Sequence, residues 1–394
     1  MSNRYHQRPP DYSIQDAEIY LSGYQLNPYV YAKSQNLIDY FIKGSHDYIR
    51  SLEPESDHTV YVGYSGIALT HFMIHLKTQR PGSFEIAKQL NNMALRRLTG
   101  RRVSFLQGDA GPLAMAAAIN FTDRNDRQAT EYVSRLIRLG EKAKRQEFEV
   151  LNGWSGYLYA LQYVNTFITG AVPGTVIRKY VEIVLNEGMN NAHRSQSRVP
   201  LVYSWADTNY YGAAHGVAGI LYMLLCSGFV SSSELHGFIG PTLDNLIQRR
   251  HPSGNYRSSE DSESDKLVQW CHGAPGFVDL LILADQVFGG GKYLPLAEDA
   301  TDVVWERGLL EKGYSICHGV SGNAYSFLAM FRKTRSLEQL YRAATYFQWV
   351  LTYPDKEGYK PDRPYSLFEG QAGVLYFLTE MANPETAAFP DQIL

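Results

Sequence analysis

Two short runs carry the most reactive side chains of this sequence. Trp270-Cys271-His272-Gly273 and Cys317-His318-Gly319 lie 46 residues apart, glycine to glycine. Thiolate and imidazole are preferred zinc ligands, and an ion held by three protein groups keeps a fourth position open for chemistry. Cys271, Cys317 and His318 supply such a set. A free cysteine is more often a small buried hydrophobe, and that reading suits Cys226 inside an apolar run. His272 is also a ligand type, but a fourth protein ligand closes the site, so it is read as an outer or substrate-facing group. His215, in Gly212-Ala213-Ala214-His215-Gly216, stands at the same place before a glycine without a cysteine beside it. By itself such a histidine reads either as a satisfied structural residue or, at the mouth beside the proposed ligands, as a general acid–base. The spacing fits no zinc-finger pattern, so these residues depend on a fold that brings separate segments together.

The glycines describe that fold. Gly-x-x-Gly recurs from Gly63, Gly108, Gly153, Gly216, Gly273, Gly319 and Gly370, at steps of 45, 45, 63, 57, 46 and 51 residues. Such a period means one supersecondary unit used repeatedly. Upstream of the copies, apolar residues recur at three and four, as in Leu337, Leu340, Tyr341, Ala344, Phe347 and Leu351. The segments 35–50, 84–98, 127–147, 176–185, 234–250, 295–310 and 337–351 read as helices with one wet face. Gly240 and Pro241 should kink or break the fifth. Downstream, runs such as 111–121, 219–229 and 373–381 are apolar nearly all round and read as buried helices.

Seven outer and seven inner helices fit a closed (α/α)7 toroid, all-α, in which each unit buries its apolar face on its neighbours. The inner helices then run parallel, with their N-termini and partial positive charges at one end. His215, Cys271, His272, Cys317 and His318 should converge at that mouth. Residues 1–34, rich in Tyr and Pro, read as an arm and 35–394 as one domain. The acidic stretch 253–266 reads as a solvated, mobile loop, and the connection 190–212 as a lid.

The bulk numbers narrow the class. At 394 residues the chain exceeds the usual single-core size of about 250–300, which a ring of repeats escapes. A net charge of −3 gives no nucleic-acid footprint. Three cysteines form no disulfide framework and suit the cytosol. No apolar run reaches the roughly 18 residues of a membrane span, and the N-terminus lacks a signal-peptide core.

The chain resembles the eukaryotic LanC-like proteins, relatives of the bacterial lanthionine cyclases. The matching stretches are Phe105 to Ala114, Gly212 to Gly219, Glu263 to Leu281, Glu311 to Leu328 and Pro364 to Leu378. The resemblance implies a ring of seven inner and seven outer helices, zinc on Cys271, Cys317 and His318, and His215 as the catalytic acid. It implies a cytoplasmic protein, in part at the membrane periphery, that binds glutathione. The activity it implies is addition of the glutathione thiolate to dehydroalanine and dehydrobutyrine residues, left where phosphorylated Ser or Thr has lost phosphate, with kinases as one candidate class of partner. Family contacts to glutathione fall here on Lys312, Arg4, and Lys360 with Asp362 in Tyr359-Lys360-Pro361-Asp362, where the family's arginine is replaced by Tyr359. Lys360 or Arg363 would have to compensate, and an ammonium does not reproduce a bidentate guanidinium. A cyclase using a cysteine of the same peptide, and a non-catalytic glutathione-binding adaptor, are the competing readings. A zinc prenyltransferase shares an α/α toroid, but its Asp-x-Cys arrangement is missing.

Overall fold

The computed structural model describes residues 4–53, 56–356, 358 and 360–392. Seven buried helices stand in a ring: α4 (Tyr64–Thr78), α6 (Ala110–Thr122), α8 (Trp154–Phe167), α10 (Val217–Cys226), α13 (Pro275–Phe288), α15 (Val320–Thr334) and α17 (Gln371–Glu380). Each packs on the next, and α17 packs back on α4, so the ring is closed. The second glycine of every repeat permits this packing. A Cβ on Gly66, Gly111, Gly156, Gly219, Gly276, Gly322 or Gly373 would lie 1.8–2.3 Å from a carbonyl oxygen six residues upstream. Close approach is the common reason for these glycines, and among the first glycines only Gly273 has a positive φ, 109°.

The outer layer comprises α3 (Gln35–Arg50), α5 (Ser83–Leu95), α7 (Asp126–Lys142), α9 (Gly174–Arg194), a composite helix over 232–248, α14 (Leu294–Arg307) and α16 (Leu337–Val350). In α7 the buried residues are Ala129, Val133, Leu136 and Gly140, one stripe at intervals of three and four. The composite helix is not broken. Ser231 and Glu234 form a capping box around α11 (Ser232–Glu234), a π-helical turn covers Leu235–Ile239, and α12 (Gly240–Gln248) follows. Pro241 directly follows the π-helical turn, whose wider spacing accommodates its missing N–H inside the continuous helix. Helix α9 runs well past the expected 185, because Gly188 packs against the Tyr203 ring instead of ending the helix. Helix α7 ends at 142, and the chain turns toward the mouth from Ala143.

Inner helices α4, α6, α8, α13 and α15 each pack on the outer helix that follows, and α17 pairs with α3, so both chain ends complete one hairpin. The arm carries α1 (Ile14–Tyr20), a short hairpin of β1 (Leu21–Ser22) and β2 (Gln25–Leu26), and α2 (Pro28–Ala32). Helix α1 lies on α16, and His6 N–H donates to the Leu309 carbonyl at 2.7 Å. Buried tyrosines tie layers together: the Tyr157 hydroxyl donates to Leu136 O, and that of Tyr346 to Val304 O.

The C-terminal segment enters the ring. Phe389 stacks on Trp270 with centroids 4.9 Å apart, and the Tyr159 hydroxyl donates to Pro390 O at 2.7 Å. Burial pushes the Asp391 carboxyl up to about 8, with the neighbouring Asp279 adding to it, and burial takes Asp279 to about 6 against the opposing pull of Arg332. The folded chain therefore keeps protons that the unfolded chain releases near pH 4. Stability is fullest below that pH and is lost as pH rises through about 6 and about 8. The thermal midpoint should fall between pH 5.5 and pH 8.5, and Asp391→Asn should shrink that fall. A variant with the same drop as the native chain would refute the assignment.

Candidate metal centre and its mouth

The residue two places before each first glycine forms the rim. Main-chain N–H groups of Cys271, Cys317 and Phe368 donate to the carbonyls of Cys317, Phe368 and Tyr61, and Tyr61 N–H donates to Leu106 O. These bonds place the Cys271 and Cys317 side chains on adjacent turns. The ligand atoms of Cys271, Cys317 and His318 lie within 4.8 Å of one another. Both cysteines are buried and His318 is half-buried. The Tyr61 hydroxyl is 3.0 Å from Cys317 Sγ, and Gln269 Nε2 donates to Cys271 Sγ at 3.1 Å. The Cys317 hydrogen bond holds the Cys271 thiol well below its ordinary range, while burial drives Cys317 up. Cys226, half-buried beside Tyr222, is raised to about 12 by desolvation, which outweighs its bond to that hydroxyl. Two sulfurs and an imidazole with one thiolate already favoured form a soft donor set that could hold a metal ion. His272 stays outside this group.

His215 stands one repeat away. Its ring stacks on Trp205 at 3.9 Å and 9°, and Nδ1 lies 3.5 Å from Glu149 Oε2. Glu149 is buried and fixed by the main-chain N–H groups of Leu151 and Asn152, at 2.5 and 2.9 Å. Tyr210 touches both the His215 and His272 rings, with centroids 6.1 and 5.6 Å away, and so links the histidine to the Cys271 turn. His272 Nδ1 is buried and makes no hydrogen bond. Trp205 heads a tight turn closed by mutual bonds with Thr208, in which Ala206 and Asp207 take φ of 46° and 59°.

Of the connection 190–212, residues 190–194 belong to α9, and Trp205 and Tyr210 lie against the His215 ring. The stretch 253–266 is not a free loop. Ser258 O accepts from Tyr211 N–H, Tyr256 stacks on Phe277 at 3.8 Å, and Asp265 accepts from Ser253, Asn255 and Arg307. It braces the segment that carries Trp205.

On the other side, a cavity of about 300 Å³ is lined by Arg4, Lys266, Gln269, Glu311 and Lys312. Glu311 N–H donates to Arg4 O, which docks the arm beside Lys312. Gln269 joins this cavity to Cys271. Lys360 and Asp362 are exposed and do not line it, although Gly358 does. Tyr359 lies outside the described residues. Reading only the residue before each glycine missed Tyr61, Glu149 and Gln269. Aligning the repeats finds them: Tyr61 shares the position of Cys271 and Cys317, and Glu149 shares that of Gln269. Trp205 has no repeat equivalent.

A closed double ring of helices with a Cys-Cys-His cluster at its mouth defines a LanC-type toroid. The family model for lanthionine synthetase C-like protein matches residues 54–394, and the chain belongs to that family. It is 39% identical over 350 residues to a Danio rerio protein named glutathione S-transferase LANCL1, covering 87% of this chain and 86% of that one. It is 31% identical over 358 residues to the Arabidopsis thaliana LanC-like protein GCL1, covering 86% and 81%. Nisin cyclase shares the fold, with a TM-score of 0.68 at 16% identity over 88% of this chain and 94% of the cyclase.

Proposed function

We propose that this chain is a zinc-dependent glutathione transferase acting on dehydroalanine and dehydrobutyrine residues of proteins or peptides. The observation that carries this reading is the Arg4–Lys266–Lys312 cavity, whose wall residue Gln269 donates to Cys271 Sγ. An anionic thiol gripped by those cations ends at the sulfur cluster. The similarity to a relative named as a glutathione S-transferase supports it. Cys271, Cys317 and His318 would hold zinc, which when bound keeps an incoming thiol ionised at neutral pH.

The chain's own residues account for the rest. Arg4, Lys266 and Lys312 bind the two glutathione carboxylates. The sulfur bonds to the β-carbon, the Cα=Cβ π bond breaks, and its electrons move toward the α-carbon and amide oxygen. His215 delivers the proton to the α-carbon. Glu149 pairs with the imidazole when the ring carries the proton, and Trp205 and Tyr210 wall the site from water. His272, with its unpartnered buried Nδ1, faces the substrate side. Lys360 and Asp362 are given no role. No described helix is long and apolar enough to cross a membrane, and the glutathione-rich cytoplasm is the setting this reading expects. Proteins that have lost phosphate from Ser or Thr, kinases among them, are the substrate class.

The test is a purified chain, glutathione and a dehydroalanine peptide, with the adduct followed by mass spectrometry. No adduct above background from zinc-loaded protein would overturn the reading in favour of an adaptor. A thioether formed within a cysteine-bearing peptide, without glutathione, would point to cyclase chemistry. Arg4→Ala and Lys312→Ala should each raise the KM for glutathione roughly tenfold, the loss of one charge-assisted hydrogen bond, with a smaller change in kcat.

A further inference from the structure

A second cationic pocket lies at the mouth, on the side of the ring away from Arg4 and Lys312. Arg101, Arg102, Arg145, Gln146, Glu147, Asn152 and Trp205 line a cavity of about 350 Å³. Elsewhere the arginines of this chain are mostly spent on carboxylates, as in Arg178 with Glu234, Arg307 with Asp265 and Arg342 with Asp302. Arg101, Arg102 and Arg145 form no ion pair among the described residues. Gln146 ties the segment down, its Nε2 donating to Arg101 O and its Oε1 accepting from Val103 N–H, and the Arg102 side chain donates to Asn152 Oδ1 at 3.3 Å. Asn152 stands directly before Gly153, so the pocket opens at the same rim as His215. Trp205 is a wall of this pocket and also the ring stacked on His215.

Three guanidinium groups against one glutamate leave two uncompensated positive charges. A single carboxylate neutralises one of them. A phosphomonoester carries about −1.5 to −2 and offers three acceptor oxygens, and guanidinium forks match it bidentately. We propose that this pocket takes a phosphoserine or phosphothreonine of the protein substrate, a few residues from the dehydroamino acid that reacts at His215. The proposal rests on the transferase reading and narrows it. The chain would select substrates that keep one phosphate near the position that has lost another.

The probes are three nonapeptides with a central dehydroalanine and, three residues away, phosphoserine, serine or glutamate. The phosphopeptide should react with kcat/KM about tenfold above the serine peptide, the worth of one charge-assisted contact, with glutamate between them. The Arg102→Ala/Arg145→Ala double variant should bring the phosphoserine-to-serine ratio close to one. Circular dichroism and zinc content identify a misfolded double variant, and single Arg145→Gln then provides the same comparison. Equal rates on all three peptides with the native chain would overturn the proposal. So would a common rise in KM for glutathione, which would assign the arginines to the co-substrate.

Binding separates this proposal from the transferase reading. A fluorescent phosphopeptide with serine in place of dehydroalanine should bind the native chain and lose at least about tenfold in affinity in the double variant. Retention of that result without any glutathione adduct would sustain the pocket and sink the transferase. Displacement of the phosphopeptide by inorganic phosphate alone, at equal affinity, would show a free-anion site and overturn the substrate assignment.

Discussion

Replacing Cys317 by alanine should remove bound zinc and glutathione transfer together. Its sulfur is one of three donor atoms within 4.8 Å, and the two that remain, on Cys271 and His318, make an incomplete set. Loss of a group that merely supports a ligand typically costs 10–100-fold in affinity or activity, so loss of the ligand itself should cost at least about a hundredfold in rate. The fold should survive. The rim bonds at this position run through the main chain, from Cys271 N–H to Cys317 O and from Cys317 N–H to Phe368 O, and alanine keeps both. Metal analysis should fall from about one zinc per chain to a small fraction of that, with an unchanged circular dichroism spectrum. Cys226→Ala is the matched control, because Cys226 lies in α10 with its thiol raised to about 12 by burial and outside the donor group. Full zinc occupancy in Cys317→Ala, or transfer without zinc, would dismiss the assignment.

The ring was legible because its constraint is local and repeated. A helix that must pass within van der Waals contact of a carbonyl six residues upstream needs glycine, and all seven copies carry it. The Cys271–Cys317–His318 cluster was legible for the same reason, since equal repeat positions become neighbours at one rim. Helix ends were harder. Helix α9 outruns its visible stripe at 176–185 because Gly188 is a packing site, and Pro241 looked like a break and is absorbed by a π-helical turn.

The remaining site residues were hidden where their signal is tertiary. Trp205 comes from an irregular connection, and its place over His215 depends on a turn with two left-handed residues and on the brace from 253–266. Asn255 and Tyr256 made that brace possible inside a stretch whose charges alone suggest a solvated loop. Phe389 reaches Trp270 from the far end of the chain without any periodicity to announce it.

His215→Ala should leave zinc and glutathione binding in place and lower the rate by about 10²–10⁴, the range for a positioned proton donor. The geometry separates the two functions. His215 is outside the donor group, and its imidazole stacks on Trp205 with Nδ1 3.5 Å from Glu149 Oε2, an ion pair once the ring is protonated, which leaves Nε2 for the substrate. Addition of the thiolate without a proton source leaves a carbanion that expels sulfur again. The variant should therefore exchange adduct formation for reversal rather than lose substrate affinity. Glu149→Gln keeps the size of the side chain but removes the charge facing the imidazole and leaves one oxygen where two accept the N–H groups of Leu151 and Asn152. It should show a smaller loss than His215→Ala, together with a shift in the limb of the pH–rate profile that reports the acid. A merely structural Glu149 would lower the rate without moving that limb. Combining the two substitutions should cost little more than His215→Ala alone, since groups acting as one unit are not additive. Full additivity would mean that Glu149 works elsewhere in the mouth, and an unshifted limb in both variants would remove His215 from the proton transfer.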